Sequence, residues 1–466
     1  MQATIKDVIR WNQEGIGKLS VFLIFVLLLL ATGIFLTWNR WEGQAPVVRF
    51  DRNFAALGRN AHLSLVAQDP GSGLKSISVT LRQKDQSISL VEERFAKFGE
   101  REARSFDLGK LIAEKYKIQE GPATLEINAS DYAFRNFFRG NQTHLQRNFA
   151  FDIYPPRLEV LSGQHYINQG GAECVVYRVS PDAEISGVQA GPNFFPGYPA
   201  SSSDPNVKFS LFAFAYNLAA DTPLKVVARD AAGNEAIAGF WYKVFPKKFQ
   251  SSEIKIEDSF LQRVVPEILS HSPEIQDQGD LVKTFVEINS KLRKLNHASI
   301  AALAPKSAQH FLWNGAFLQL SNSKVESMFA DHRTYFYQGK QIDRQDHVGF
   351  DLSVVQQNPI EAANDGVVVF ADYFGIYGNC VMIDHGCGLL SIYGHLSSID
   401  VKPGQSVKQK QILGHSGATG LAAGDHLHFS LFLQGVPVNP TEWWDAKWIN
   451  DHVLDRLKVI PGGSLQ

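Results

Sequence analysis

HVGFDLSV at 347–354 and HLHFSLFL at 426–433 decide how this chain folds. Side chains alternate between faces along a strand, so both stretches resolve in the same way. His347, Gly349, Asp351 and Ser353 take one face, and Val348, Phe350, Leu352 and Val354 take the other. His426, His428 and Ser430 oppose Leu427, Phe429, Leu431 and Leu433. A third stretch, SIYGHL at 391–396, sets Ser391, Tyr393 and His395 against Ile392 and Leu396. The apolar faces predict a β-sheet core. The polar faces carry four histidines and one aspartate.

That donor set suits a catalytic zinc site, which takes three ligands from His and carboxylate side chains and leaves a fourth position open. Five candidates exceed this need, and we assign His347, Asp351 and His428 as ligands of one Zn2+. Two neutral imidazoles and one carboxylate leave the site net positive, so bound water ionises near neutral pH. His395 and His426 are then free to move a proton and to hydrogen-bond a developing oxyanion. No HExxH occurs, so no helix-borne glutamate base is on offer. A single strand histidine is more often a hydrogen-bonded residue than a ligand, but here five positions fit one pattern.

From about Trp313 to Trp444 the residues resemble the lysostaphin/LytM-type zinc metallopeptidases of bacterial cell walls. HVGFD, YGH and GDHLHF stand where that family has its H-x-x-x-D element, its later histidine and its H-x-H element, and IDHG, VKPGQSV and VPVNPTEWW resemble its framework. The resemblance implies peptide-bond hydrolysis in peptidoglycan cross-links, with His347, Asp351 and His428 on zinc and His395 and His426 catalytic. Relatives lacking these residues act as amidase activators. All five positions are filled here, which implies an active enzyme.

Other features near the site are expected to be structural. His385 lies in a DHG turn, and His415 in GHSGATG has no assigned role. GHSGATGLAAG lacks the Walker lysine and the strand-turn-helix setting of a phosphate loop, so its glycines are expected to shape a cleft wall. Arg333, Tyr335 and Tyr337 approach the first metal strand and are candidates to contact an anionic glycopeptide, or to pack on one another. Cys174, Cys380 and Cys387 predict no disulfide framework.

Working outward, 466 residues predict about three or four domains. Lys and Arg number 45 against 47 Asp and Glu, leaving no basic surplus for nucleic acid. Residues 19–38, LSVFLIFVLLLLATGIFLTW, carry no charge and are long enough to span a bilayer, with Trp38 and Trp41 as interfacial anchors. A cleaved signal peptide would have a shorter apolar run. Lys6, Arg10 and Lys18 predict a cytoplasmic stretch at 1–18.

Between 45 and 246 the punctuation by Gly, Pro, Asn and Asp predicts two immunoglobulin-like β-sandwiches, at 45–155 and 156–246. LEINASDYAFRNFFRG from 125 and LKVVARDAAGNEAIAG from 224 hint at duplication. A helical connector at 251–305 carries a stripe of Leu281, Phe285, Ile288, Leu292 and Leu295, which predicts a helix packed on its neighbours, with a gate lying near the catalytic groove as the alternative. The peptidase domain follows at 306–450, then a tail at 451–466. The fold class is thus mostly β: an antiparallel β-sheet zinc peptidase domain after two sandwiches, a helical connector and a transmembrane helix. The expected protein is a single-pass, membrane-anchored zinc endopeptidase of peptidoglycan cross-links. It would sit in a bacterial inner or plasma membrane with its catalytic domain on the periplasmic or cell-wall side. The alternative is a non-cleaving wall-binding or amidase-activating protein using the same groove.

Overall fold

The computed structural model describes residues 5–96, 99–201 and 203–459. The ends of the expected cytoplasmic stretch and tail, 1–4 and 460–466, lie outside the described residues. The fold is mostly β. Its C-terminal part is an eight-stranded antiparallel sheet in which Leu427–Leu433 runs between Phe350–Ser353 and Leu389–Leu396. Both Leu427–Leu433 and Leu389–Leu396 are buried along their whole length, so their near-continuous apolar character reflects cover on both faces. Register sets Asp351 and Gly394 on either side of His428.

HVGFD is not one strand. His347 ends Lys340–His347, which pairs with Asp331–Tyr337 in a separate three-stranded sheet, and Phe350–Ser353 belongs to the large sheet. The chain changes sheets across Val348 and Gly349. A Cβ on Gly349 would stand 2.3 Å from Ser430 Oγ and 2.7 Å from His428 Nε2, so only glycine lets the backbone cross there. His426 likewise precedes its strand and is held by a bridge to Gly417.

The connector opens with a strand, Ser251–Ile256, parallel to Asp331–Tyr337, before the helix Asp258–His271. Leu261, Val264, Val265 and Ile268 recur at helical spacing and form its buried face. The second helix, Leu281–Glu287, is capped by Asp280, whose carboxylate accepts from Lys283 N at 2.9 Å. Its expected stripe holds only in the middle. Phe285, Ile288 and Leu292 are fully buried, whereas Leu281 and Leu295 are each 39% exposed. A widened turn at Ile288–Leu292 rotates the helix that follows. Asn289 and Asn296 consequently point inward, donating to Asp343 Oδ2 at 2.8 Å and accepting from Ile376 N at 3.1 Å.

The chain forms two compact units, one running to Pro155 with Asp230–Asn234, the other comprising Pro156–Arg229 and the chain from Glu235 onward. The first unit contains a five-stranded sheet and a three-stranded sheet enclosing Leu65, Leu74, Val79, Leu125 and Ile127. Its N-terminal helix, Ile5–Thr37, includes an apolar stretch, Ser20–Arg40 with the turn that follows, long enough to cross a membrane. In the second unit, two four-stranded sheets of the 156–246 region share one hydrophobic core with the helices and the large sheet. Asp131 and Asp230 each accept from the backbone N–H and the side-chain amide of a following asparagine, Asn141 and Asn234.

The expected tail is in fact docked. Residues 450–457 are helical, Val453 and Leu457 are buried, and Glu173 of the 156–246 region accepts from His452 Nδ1 at 2.8 Å and from Arg456 Nε at 3.4 Å. Nearby, Glu442 accepts from Asn168 Nδ2 and Ala172 N, both at 2.8 Å. Burial pushes the Glu442 carboxyl from 4.5 up to about 7. The folded chain holds a proton there that the unfolded chain releases. Stability from this group is therefore complete below about pH 4.5 and falls as pH rises towards 7, by at most about 3 kcal/mol. Denaturant midpoints of wild type and Glu442→Gln across pH 4 to 8 check this, with the fall expected to flatten in the variant.

Candidate metal centre

The structure brings His347, Asp351 and His428 together. His347 Nε2 lies 3.0 Å from Asp351 Oδ1 and 3.0 Å from His428 Nδ1, and His428 Nδ1 lies 2.9 Å from Asp351 Oδ1. Zinc bonds of about 2.0–2.2 Å in a tetrahedron separate ligand atoms by about 3.3 Å, so this triangle needs to open by only a few tenths of an ångström. One nitrogen, one oxygen and a second nitrogen face a common point, which is the donor chemistry zinc takes. The residues fit the ion.

Each candidate ligand is held from behind. His347 Nδ1–H donates to the Met328 carbonyl at 3.0 Å, which leaves Nε2 bare. His428 Nε2 pairs with Ser430 Oγ at 2.7 Å, two residues along the same strand and therefore on the same face. Asp351 gives its second oxygen to Arg333, whose guanidinium donates to Oδ2 at 2.7 Å and also bonds Asp331. Supports of this kind fix ligand orientation and tautomer. Arg333, a candidate to contact an anionic glycopeptide or to pack on tyrosine, lines the cleft with its guanidinium engaged by Asp351 and Asp331. Tyr335 is buried in the wall of the cleft, and Tyr337 donates to Asp258 at 2.8 Å.

His395 and His426 stand beside the triangle with ring centres 4.8 Å apart. His395 Nδ1–H donates to Thr419 O and His426 Nδ1–H to Gly424 O, each at 2.8 Å. Their Nε2 atoms are thereby left free, and that of His426 lies 3.5 Å from Asp351 Oδ1. His395 has a left-handed backbone, φ 65°, which costs energy in a non-glycine residue and turns its ring out of the regular alternation. The loop bearing Thr419 depends on Gly420 and Gly378, since a Cβ on Gly420 would meet Gly378 N at 2.3 Å.

Burial alone would raise the Asp351 carboxyl. The adjacent His347 and the close ring nitrogens of His426 and His428 hold it well below the usual range. Burial lowers His395 well below the ordinary imidazole value, with His426 and His428 adding to the shift, and burial lowers His428 to about 4. Both imidazoles are neutral, the state in which histidine binds metal. Burial opposes a charge on His426 too, but its contact with Asp351 raises it.

The site opens on a cleft of about 410 Å³ walled by Ile254, Phe260, Phe285, Tyr335, Tyr377 and Leu421. The helix Asp258–His271 is fastened to the 418–422 loop. Arg263 donates to the carbonyls of Ala418 and Ala422, and Glu267 accepts from Gly420 N at 2.7 Å. His385 is structural: it is buried, pairs with Asp365 O and Ser391 Oγ, and is pushed down to about 4 by burial. His415 pairs with Ser398 Oγ, outside the cluster. The three cysteines are free and buried. Met328 O, Thr419 O and Gly424 O escaped sequence reasoning because a backbone carbonyl carries no signature. Ser430 was readable, two positions after His428.

Residues 345–440 match the sequence model of Peptidase family M23. The DD-carboxypeptidase/endopeptidase Mpg of Neisseria meningitidis serogroup B is 40% identical over 94 residues, 20% of this chain and 22% of the relative. Peptidoglycan DD-endopeptidase ShyA of Vibrio cholerae is 43% identical over 93 residues, again 20% and 22%. The catalytic domain of lysostaphin from Staphylococcus simulans is 27% identical with a TM-score of 0.24, covering 28% of this chain and 98% of that one. The chain spans less than a quarter of the length of the curated relatives it matches.

Removing the hydroxyl behind His428 tests how the centre is held. Ser430→Ala is expected to weaken zinc retention about 10–100-fold with the fold intact, measured by competition against a chromogenic chelator. Unchanged retention would contradict a supporting role for Ser430.

Proposed function

For a chain that carries an M23 peptidase domain at residues 345–440, we propose zinc-dependent endopeptidase activity on the peptide cross-links of bacterial peptidoglycan. One observation carries this reading. Four histidines each have one ring nitrogen engaged by a hydrogen-bonding partner, at Met328 O, Thr419 O, Gly424 O or Ser430 Oγ, and His347, His426 and His428 each turn the other nitrogen to within 3.5 Å of Asp351 Oδ1. A merely structural cluster has no need to keep three nitrogens turned on one carboxylate oxygen.

His347, Asp351 and His428 would hold one Zn2+, which supplies Lewis-acid polarisation of a carbonyl and a lowered pKa for water. Arg333 neutralises and orients Asp351 from its far oxygen. His395 and His426 form the proton-handling pair. One takes the proton of the attacking water and returns it to the departing amine, and the other, carrying a second proton taken up from solvent before the step, donates to the oxyanion as it develops. The apolar walls of the cleft exclude water around the scissile bond and strengthen these interactions.

The apolar helix at Ser20–Arg40 supports a single-pass anchor in a bacterial inner or plasma membrane, with the peptidase domain on the wall side. The β-modules then act as spacers or docking elements, and the 251–305 segment, which walls the cleft, sets access to it. The alternative, a non-cleaving protein that holds wall peptides or an amidase in the same groove, is disfavoured by the complete set of five residues.

Purified chain incubated with defined cross-linked muropeptides is expected to sever the peptide bridge, as mass analysis of the products would read. His426→Ala is expected to keep about one zinc per chain and to lose cleavage by roughly 10²–10⁴-fold. Full cleavage by that variant, or by zinc-free chain, would refute the mechanism.

A further inference from the structure

The first unit holds a second cluster, which the peptidase chemistry does not use. Glu42, Asp69 and Asp131 bring three carboxylate oxygens within 4.8 Å of one another. Glu42 follows the N-terminal helix, Asp69 directly follows the strand Ser64–Gln68, and Asp131 ends the strand Gly121–Asp131. Asp131 is fully buried and accepts from Ala133 N and Asn141 N on Oδ1, at 2.9 and 2.7 Å, and from Asn141 Nδ2 on Oδ2 at 2.8 Å. Those bonds aim a fixed carboxylate into the cluster.

Asp69 is the telling member. It is 3% exposed, and Oδ1 accepts from Gly71 N at 2.9 Å. Its Oδ2 is buried without any hydrogen-bond partner, and so is the hydroxyl of the neighbouring Ser72, whose backbone N–H donates to Glu42 Oε1. A buried acceptor beside two further carboxylates faces both a desolvation cost and repulsion. Burial, followed by Glu42 and then Asp131, pushes the Asp69 carboxyl up to about 6. Gly71 makes the approach possible, since a Cβ there would stand 1.8 Å from Glu42 Oε2. Backbone space is thus given up to bring like charges together.

We propose that Glu42, Asp69 and Asp131 bind a calcium ion. The donors are all oxygen, which selects a hard cation over zinc. Opposite ligands of calcium, at about 2.3–2.6 Å each, span about 5 Å, and the three oxygens fit inside that span. Magnesium demands near-ideal octahedral geometry and sheds its water reluctantly, which suits an irregular buried cluster poorly. The ion would satisfy Asp69 Oδ2, offset the repulsion, and tie the segment after the N-terminal helix to two strands of the first β-module.

The test uses the full chain in detergent with zinc present throughout, and calcium chloride as the probe. Equilibrium dialysis is expected to show about one calcium per chain beyond the zinc site, with a dissociation constant of about 10⁻⁴–10⁻³ M, typical of extracellular modules. Scanning calorimetry is expected to show a melting temperature raised by about 5 °C at saturating calcium. Asp69→Asn keeps the side-chain shape and the acceptor for Gly71. It is expected to bind calcium at least tenfold more weakly and, because one repelling charge is gone, to melt above wild type when calcium is absent. Glu42→Gln, on a residue outside the sheets, is expected to lose calcium similarly and serves if Asp69→Asn does not fold. The proposal is overturned by no calcium uptake at millimolar concentration, by uptake unchanged in the variant, or by an equal response to magnesium.

Discussion

A single buried carboxylate organises the cluster beside the large C-terminal sheet. Asp351 Oδ1 lies within 3.0 Å of ring nitrogens from two strands, and Oδ2 is taken by Arg333 from a third. An ionised carboxylate is costly to bury unless its lone pairs are satisfied and its charge is answered. Here both conditions are met by His347, His428 and Arg333. The pairing of Asp351 with His428 across adjacent strands is therefore the constraint on which the rest of the site depends. A register slip of one residue would turn every side chain of one strand to the other face and dissolve the cluster.

Rigidity at the centre is obtained from backbone as much as from side chains. Three carbonyls, of Met328, Thr419 and Gly424, fix histidine tautomers, and glycines at 349, 378 and 420 permit approaches that any side chain would block. The left-handed backbone of His395 adds local strain that the packed sheet around it maintains. The 251–305 segment completes the arrangement. It closes one wall of the cleft and grips the loop that carries Thr419, so positioning of His395 and shape of the groove are coupled through one helix.

Beyond the centre, the second unit is held by buried polar pairs rather than by apolar contact alone. Glu173 and Glu442 lie inside the packing between the 156–246 region and the C-terminal residues, each satisfied by donors from the opposite side. Such pairs contribute little net stability against a hydrophobic alternative, but leaving one partner out is expensive, so they penalise any other docking arrangement.

The amino-acid sequence alone named the candidate donors: HVGFD, YGH and HLHF supply four histidines and one aspartate with apolar residues between them, because residue type is a local property. It also determined the apolar helix, the β-rich regions and the helical segment before the C-terminal sheet. Tertiary structure decided what local pattern cannot encode. It split HVGFD between two sheets at Gly349, turned Leu295 outward through a widened helical turn, moved Arg333 onto Asp351 and docked the stretch after 450. It also gathered Glu42, Asp69 and Asp131, residues far apart in the chain with no motif between them. In each case the deciding interaction joins segments distant in sequence, and its energy exists only once the chain has brought them into contact.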